Sequence, residues 1–184
     1  RIIRLHPMVI MGSIVGAAFF YFQESSCFPP IENTSIGTML LVMLLGCTLL
    51  PLPLKFDIRG WTEMHPLNGP AWSLYYEYIG NILYALFVRK FNKVALSVLV
   101  FVAGCFTVYR CLTAPAGDIV GGWALNWEQQ YVGMVRLMYP FFGGLLLSRL
   151  GWLIRLEKRA FWWCSLLIVV VFPFPVSEVR MVTG

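Results

Sequence analysis

The stretch N-G-P-A-W-S-L-Y-Y-E, residues 68–77, places a carboxylate, a hydroxyl and an indole within a chain that is otherwise strongly apolar. On membrane-insertion scales a charged side chain near the bilayer centre costs about 2.5–3.5 kcal/mol. Glu77 is therefore expected either to be paired or to take part in function. The apolar segments on both sides of this stretch determine how it is held.

The composition of the chain is that of a membrane protein. Hydrophobic residues make up 59% of its 184 residues and charged residues only 12%, whereas soluble domains carry about 25% charged residues. The net charge of +5 does not indicate nucleic-acid binding, because the basic residues fall in short clusters between apolar runs. The chain begins with Arg1 rather than Met, so we expect residues 1–184 to be one partial domain of a longer polytopic protein.

Six apolar segments can be drawn, each close to the roughly 17–25 residues that a membrane-spanning helix needs. They are residues 5–22, 36–54, 71–88, 94–112, 131–148 and 160–176. We predict an all-α, polytopic helical membrane protein with about five spanning helices and one further segment that is either re-entrant or a sixth helix. The histidines and cysteines show no metal-ligand spacing, so no metal site is expected.

The second segment, residues 36–54, determines the topology. If all six segments crossed the membrane in turn, the basic residues in 89–93 would lie opposite those in 1–4. If residues 36–54 enter and return to the same face, these two clusters and the one in 149–159 share a side, which then holds nine of the fourteen Lys and Arg residues. The positive-inside rule favours this alternative and makes the shared side cytosolic. Re-entrant backbone must be buried in protein or face a cavity, so a cavity is expected beside it.

Residues 68–70, N-G-P, have the form of a helix start, because Asn can cap a helix and proline is tolerated in the first turn. Four polar residues on the helix that follows share one face, at spacings of four, four and three: Ser73, Glu77, Asn81 and Tyr84. Gly80 leaves room beside them. Two explanations stay open: a structural seam, for example with Glu77 paired to Arg136, or a polar substrate cavity lined by Glu77 and Ser73.

Several other residues could bind or react. Arg1 and Arg4 lie one helical turn apart, and paired guanidinium groups suit a phosphorylated ligand, although basic residues beside a membrane segment are also ordinary topology anchors. Arg136, near the outer end of an apolar run, can snorkel or pair with a buried carboxylate. His6 at the cytosolic border and His65 in an outer loop are acid–base candidates by residue type alone.

Three motifs occur in order: R-I-I-R-L-H-P at residues 1–7, P-L-N-G-P-A-W-S-L-Y-Y-E at residues 66–77, and Arg136 before an aromatic and glycine-rich helix. Together they resemble the membrane acyltransferase family 3, polytopic enzymes that O-acetylate bacterial surface polysaccharides, nodulation factors and related glycans. The N-G-P-x-W-S-L-x-x-E pattern is the most specific of the three. The resemblance implies about ten helices, of which this chain would cover the third to about the eighth, and a catalytic histidine in the first helix. Neither His6 nor His65 matches that histidine.

The resemblance implies an O-acyltransferase of the bacterial inner membrane. It would move an acyl group, in the first instance acetyl, from cytosolic acyl-CoA to a hydroxyl of a glycan or lipid-linked sugar, with acyl-CoA as donor substrate and no bound cofactor. The candidate site residues are Glu77 and Ser73 for catalysis and, for substrate or donor binding, Arg1, Arg4, Trp72, Asn68 and Arg136. Ser73 has no His or Asp at a useful distance in sequence and is not expected to be a nucleophile.

Two other classes of protein remain possible from the sequence alone. A transporter or flippase would also carry polar residues near the membrane midplane and broken helices. A non-enzymatic membrane scaffold would use the polar face after residue 70 only to hold helices together. The fragment itself is expected to be inactive on its own, because the resemblance places the histidine outside it.

Overall fold

The computed structural model describes residues 2–23, 29–114, 117–151 and 160–171, and of residues 2–4 and 171 only the backbone. These residues form helices and irregular segments, with no strand among them. The helices are α1 (Ile2–Phe22), α2 (Pro29–Glu32), α3 (Ile36–Cys47), α4 (Ala71–Leu86), α5 (Lys93–Thr113), α6 (Trp127–Leu150) and α7 (Ala160–Val171), with short 3-10 helices at Leu54–Phe56 and Val88–Lys90. The predicted all-α fold is confirmed.

Helix length separates the apolar segments into two groups. In the described ranges α1, α5 and α6 are long and apolar enough to cross a membrane, and the chain is an integral membrane protein. Helix α4 has 16 residues, and α3 and α7 have 12 each. Their lengths are about 24 Å and about 18 Å, which is shorter than the hydrocarbon core of a bilayer, about 30 Å. Helix α7 belongs to a unit separate from the one that contains the other helices, and only the helix itself is described.

Helices α1 and α4 run antiparallel. His6 Nδ1, in the second turn of α1, lies 3.2 Å from the hydroxyl of Tyr78 in the middle of α4. Further along α1, Val9 packs in one cluster with Ala71, the first residue of α4. The N-terminal end of α1 therefore lies at the same end of the bundle as the C-terminal end of α4.

Helix α6 runs parallel to α4 and antiparallel to α5. At one end, Arg149 of α6 donates from Nη2 to the carbonyl of Val88, just after α4, at 3.1 Å. At the other end, Arg110 near the end of α5 lies 3.7 Å from Glu128 in the first turn of α6. The start of α1, the turn after α4 and the end of α6 thus share one side, as the distribution of basic residues predicted.

Helix α3 enters the bundle only halfway. Its first half contributes Met39 to a cluster with Phe20, near the end of α1. A Cβ built on Gly46, near the end of α3, would lie 3.4 Å from the hydroxyl of Ser13 in the middle of α1. The chain then turns back, because Leu52 rejoins the cluster of Phe20 and Met39. This path is that of the re-entrant alternative and not that of a sixth spanning helix.

Residues 64–67 are buried inside the bundle, although the sequence assigned them to an outer loop. They pack against the middle of α1, where two glycines permit the contact. A Cβ on Gly16 would lie 1.7 Å from the carbonyl oxygen of Leu67, and one on Gly12 would lie 2.5 Å from Nδ2 of Asn68. The outer-loop prediction is wrong for these residues because small residues on α1 let non-helical backbone sink into the protein, where its polar groups can be paired.

Hydrogen bonds from three directions hold this buried segment. The backbone N–H of Leu52 donates to the carbonyl of Met64 at 3.0 Å, and the N–H of Met64 donates to the carbonyl of Trp123 at 2.7 Å. Arg59 Nη1 donates to the carbonyl of Pro66 at 3.2 Å. These bonds connect the segment to the returning part of the re-entrant loop and to the connection between α5 and α6.

Candidate functional site between α4 and α6

The helix that carries the polar face begins at Ala71, as predicted. Asn68 accepts the N–H of Ala71 at its backbone carbonyl, at 2.9 Å. Its side chain does not cap the helix, in contrast to the prediction, because Nδ2 points to α1 and lies 3.5 Å from the carbonyl of Val9. Ser73 donates from Oγ to the carbonyl of Pro70 at 2.8 Å, so its hydroxyl proton is used by the first turn of the helix.

The polar face of α4 turns towards α6 and lines a pocket of about 410 Å³. The residues around the pocket include Trp72, Ser73, Tyr76 and Glu77 of α4 and Gly133 and Arg136 of α6. Four of the candidate site residues are therefore brought together: Trp72, Ser73, Glu77 and Arg136. Asn68 is not among the lining residues, and its described contact is with α1. Arg1 and the side chain of Arg4 lie outside the described residues.

Arg136 contacts a backbone carbonyl and an aromatic ring, and among the described residues it has no carboxylate partner. Its Nη1 donates to the carbonyl of Gly121 at 2.8 Å, and its guanidinium lies 4.7 Å from the centroid of the Trp72 ring. A cation–π contact of this kind contributes about 0.5–2 kcal/mol. Within the described part of the chain Glu77 and Arg136 form no ion pair. The carboxylate and the remaining guanidinium donors are thus available to a ligand.

Close approaches around the pocket depend on glycines. A Cβ on Gly133 would lie 2.1–2.4 Å from atoms of the Tyr76 ring, so this tyrosine can cross α6 only where no side chain is present. A Cβ on Gly122 would lie 3.0 Å from the Trp72 ring. The φ of Gly122 is +106°, which also favours glycine at this position. The α5–α6 connection therefore folds over the indole that supports Arg136.

A second cavity of about 690 Å³ lies further along the same two helices and is lined by Asn81 and Tyr84, the rest of the predicted polar face. Asn81 donates from Nδ2 to the carbonyl of Glu77 at 2.8 Å. Between the two cavities α4 and α6 pack together at Gly80, where a Cβ would lie 3.2 Å from Leu137. The space that the sequence predicted beside Gly80 is therefore occupied by side chains of α6.

His65 is a buried polar residue whose environment the sequence did not indicate. It is 2% exposed, and burial lowers its pKa to about 4. Its ring lies 6.4 Å from that of Tyr75, and neither ring nitrogen has a hydrogen-bond partner among the described residues. Ser13, also buried and without a described partner, lines the same closed gap. A single histidine in an irregular segment has no periodicity from which burial could be inferred.

His65 and the Glu77 pocket lie on different faces of α4. Tyr75 and Tyr78 face α1, together with Leu74, in the cluster that contains Val9. Glu77 faces α6. The two histidines of the chain are therefore both on the α1 side, since His6 contacts Tyr78, and the described geometry brings neither of them to the Glu77 pocket.

Comparison with protein families gives one match. A family model described as an acyltransferase domain, that of acyltransferase family 3, matches residues 1–182. The match includes the buried segment 64–67 and both helices of the pocket. Comparison with curated proteins and with solved structures gives no match.

Proposed function

Because the chain belongs to acyltransferase family 3 and is an acyltransferase, we propose that it moves an acetyl group from cytosolic acyl-CoA to a hydroxyl of a glycan or lipid-linked sugar in the bacterial inner membrane. The observation that carries this proposal is the pocket in which Glu77 lies with Trp72 and Arg136. A carboxylate without an ion pair in the described structure can orient a hydroxyl, and a guanidinium can bind an oxyanion.

In the proposed reaction the acceptor hydroxyl oxygen attacks the thioester carbonyl carbon, and the carbon–sulfur bond breaks to release CoA as its thiol. The hydroxyl proton passes to a histidine that the family resemblance places outside this chain, and the histidine then protonates the departing sulfur. Glu77 accepts a hydrogen bond from the acceptor and orients it. Arg136, held by Gly121 and Trp72, stabilises negative charge on the carbonyl oxygen. Ser73 lies at the exposed edge of the pocket.

Arg1 and Arg4 are proposed to bind the phosphates of the donor, because their end of α1 lies on the same side as the basic turn after α4. Replacing Arg4 with Ala in the natural full-length protein is expected to raise the KM for acyl-CoA more than the KM for the acceptor. An equal rise in both would contradict this assignment. Asn68 contributes through its contact with α1, which holds the start of α4 in place.

The substitution Glu77→Gln in the natural full-length protein tests the proposal. It keeps the size of the side chain and removes its charge, so transfer of labelled acetyl from acetyl-CoA to membrane glycan is expected to fall by about 10²-fold. The control is Asp118→Asn, at an exposed carboxylate of the α5–α6 connection, which should leave the rate unchanged. The amount of inserted protein should be equal in all samples. A wild-type rate in Glu77→Gln would contradict the proposal, and glycan movement without acetylation would favour the transporter alternative.

A further inference from the structure

The cavity at Asn81 and Tyr84 adjoins the Glu77 pocket, because Pro140 and Phe141 of α6 line both spaces. We call the two adjoining spaces together the α4–α6 crevice. It extends along α6 from Gly133 to Ser148, about 22 Å at 1.5 Å per residue. The crevice is therefore long enough for an extended ligand and not only for a reacting group.

The far end of the crevice lies beside a cluster of positive charge. Ser148 precedes Arg149, whose guanidinium donates to the carbonyls of Val88, Arg89 and Phe91 in the turn between α4 and α5. This contact fixes the end of α6 against the turn. The same turn and the start of α5 carry three exposed basic side chains: Arg89, Lys90 and Lys93. The crevice thus runs from the Glu77 pocket towards a basic surface on the predicted cytosolic side.

The wall between the two ends offers hydrogen-bonding groups at intervals. Asn81 uses Nδ2 for the carbonyl of Glu77, which leaves its Oδ1 as an acceptor. The hydroxyls of Tyr84 and Ser148 line the same space. Pro140, inside α6, has no N–H, so the carbonyl of the residue one turn earlier loses its usual helical donor. A ligand with amide groups spaced along a flexible chain complements such a wall.

We propose that the α4–α6 crevice binds the pantetheine arm of the acyl-CoA donor, with the thioester at Glu77, and that Arg89, Lys90 and Lys93 bind phosphates of CoA in addition to Arg1 and Arg4. This inference rests on the proposed function for the identity of the donor. Pantetheine carries two amides and spans about 15 Å when extended, the length of about four residues. Three cations at the opening complement the phosphates of CoA.

Gly144 provides a means to block the crevice without disturbing the helix. It lines the crevice, and a Cβ there would meet nothing within 4 Å. Gly144→Leu should therefore fill the space while α6 stays in place, and Gly144→Ala, which adds a single carbon, fills less of it. In purified full-length protein we expect Gly144→Leu to weaken CoA binding about tenfold or more and to raise the KM for acetyl-CoA, with a smaller effect in the same direction for Gly144→Ala. Equal melting temperatures would show that both variants fold.

The basic turn is tested by the joint replacement R89Q/K90Q/K93Q. CoA binding should weaken about tenfold, whereas the KM for acetyl-pantetheine, which lacks the nucleotide and its phosphates, should not change. Unchanged CoA binding in this variant, together with weaker binding to phosphatidylglycerol vesicles, would assign the cluster to lipid headgroups and overturn the inference. CoA binding at the wild-type level in Gly144→Leu would also overturn the inference. If wild-type protein does not bind CoA at all, the proposed donor itself is wrong, so the two failures are distinguishable.

Discussion

His65 lies outside the spanning helices, in the segment between α3 and α4, and is 2% exposed. Burial lowers its pKa from 6.5 to about 4 because the charged imidazolium would lose its hydration there. In the unfolded chain the imidazole takes up a proton near pH 6.5, whereas in the folded protein it does so only near pH 4. The contribution of neutral His65 to stability is therefore complete above pH 6.5 and is lost as the pH falls towards 4.

The expected result is a loss of about 2 kcal/mol in the free energy of unfolding between pH 7 and pH 5 that depends on this one residue. It can be measured as the difference between melting temperatures in detergent at the two pH values. The change His65→Phe should reduce that difference, since the new side chain does not titrate. His6→Phe, at the contact with Tyr78, is the control. This variant should show the same difference in melting temperature between the two pH values as the wild type. An unchanged pH dependence in His65→Phe would contradict the assignment.

The residues of the Glu77 pocket show what a sequence can and cannot predict at this scale. Glu77, with the polar residues before and after it, was predictable because helical spacing places them on one face. The partner of Arg136 was not predictable, because Gly121 belongs to an irregular connection that contains three glycines with positive φ. Periodicity describes the helix but not the loop that folds over it.

At the scale of elements, the spanning helices were the most predictable part of the fold. Helices α1, α5 and α6 follow long apolar runs, for which a helix is the ordinary solution in a membrane. The apolar run of residues 36–54 was longer than its helix, since α3 stops at Cys47 and Leu49 has φ 61. Hydrophobicity alone does not separate a helix from buried irregular backbone. The prolines near the end of this run were the available indication.

Gly16 of α1 tests the contact between this helix and the buried segment. A Cβ would lie 1.7 Å from the carbonyl of Leu67, so Gly16→Ala must displace either the helix or residues 64–67. We expect a loss of about 3 kcal/mol in stability and loss of acyl transfer, because the start of α4 follows this segment directly. Gly37→Ala in α3 is the matched control, since its Cβ would lie 3.9 Å from Ser35 Oγ, which is an ordinary van der Waals distance. Equal stability of the two variants would contradict the contact.

At the scale of the whole molecule, the described helices put the connection between α5 and α6 and the turn after α4 on opposite sides of the membrane. This follows because α5 is long enough to cross the bilayer and joins the two. The basic clusters predicted this arrangement once residues 36–54 were taken as re-entrant, and the path of α3 agrees with it. Charge distribution was informative because it reports on sidedness, which hydrophobicity cannot do.

Labelling from one side of the membrane tests this topology. In a cysteine-free background, Asp118→Cys should react with a membrane-impermeant maleimide added to intact spheroplasts, because it lies in the exposed α5–α6 connection. Lys90→Cys, in the turn after α4, should react only after the membrane is opened. Reaction of both positions in intact spheroplasts would contradict the assigned sides.

The hydrogen bond between Met64 and Trp123 has a consequence for the biogenesis of the protein. Ribosomes add about 5–20 residues per second, so several seconds separate the synthesis of these two residues. During that interval α1 and α3 are already available, but residues 64–67 lack their partner from the α5–α6 connection. The start of α4 therefore reaches its final position only when the α5–α6 hairpin enters the membrane. The pocket is then one of the last features to form during translation.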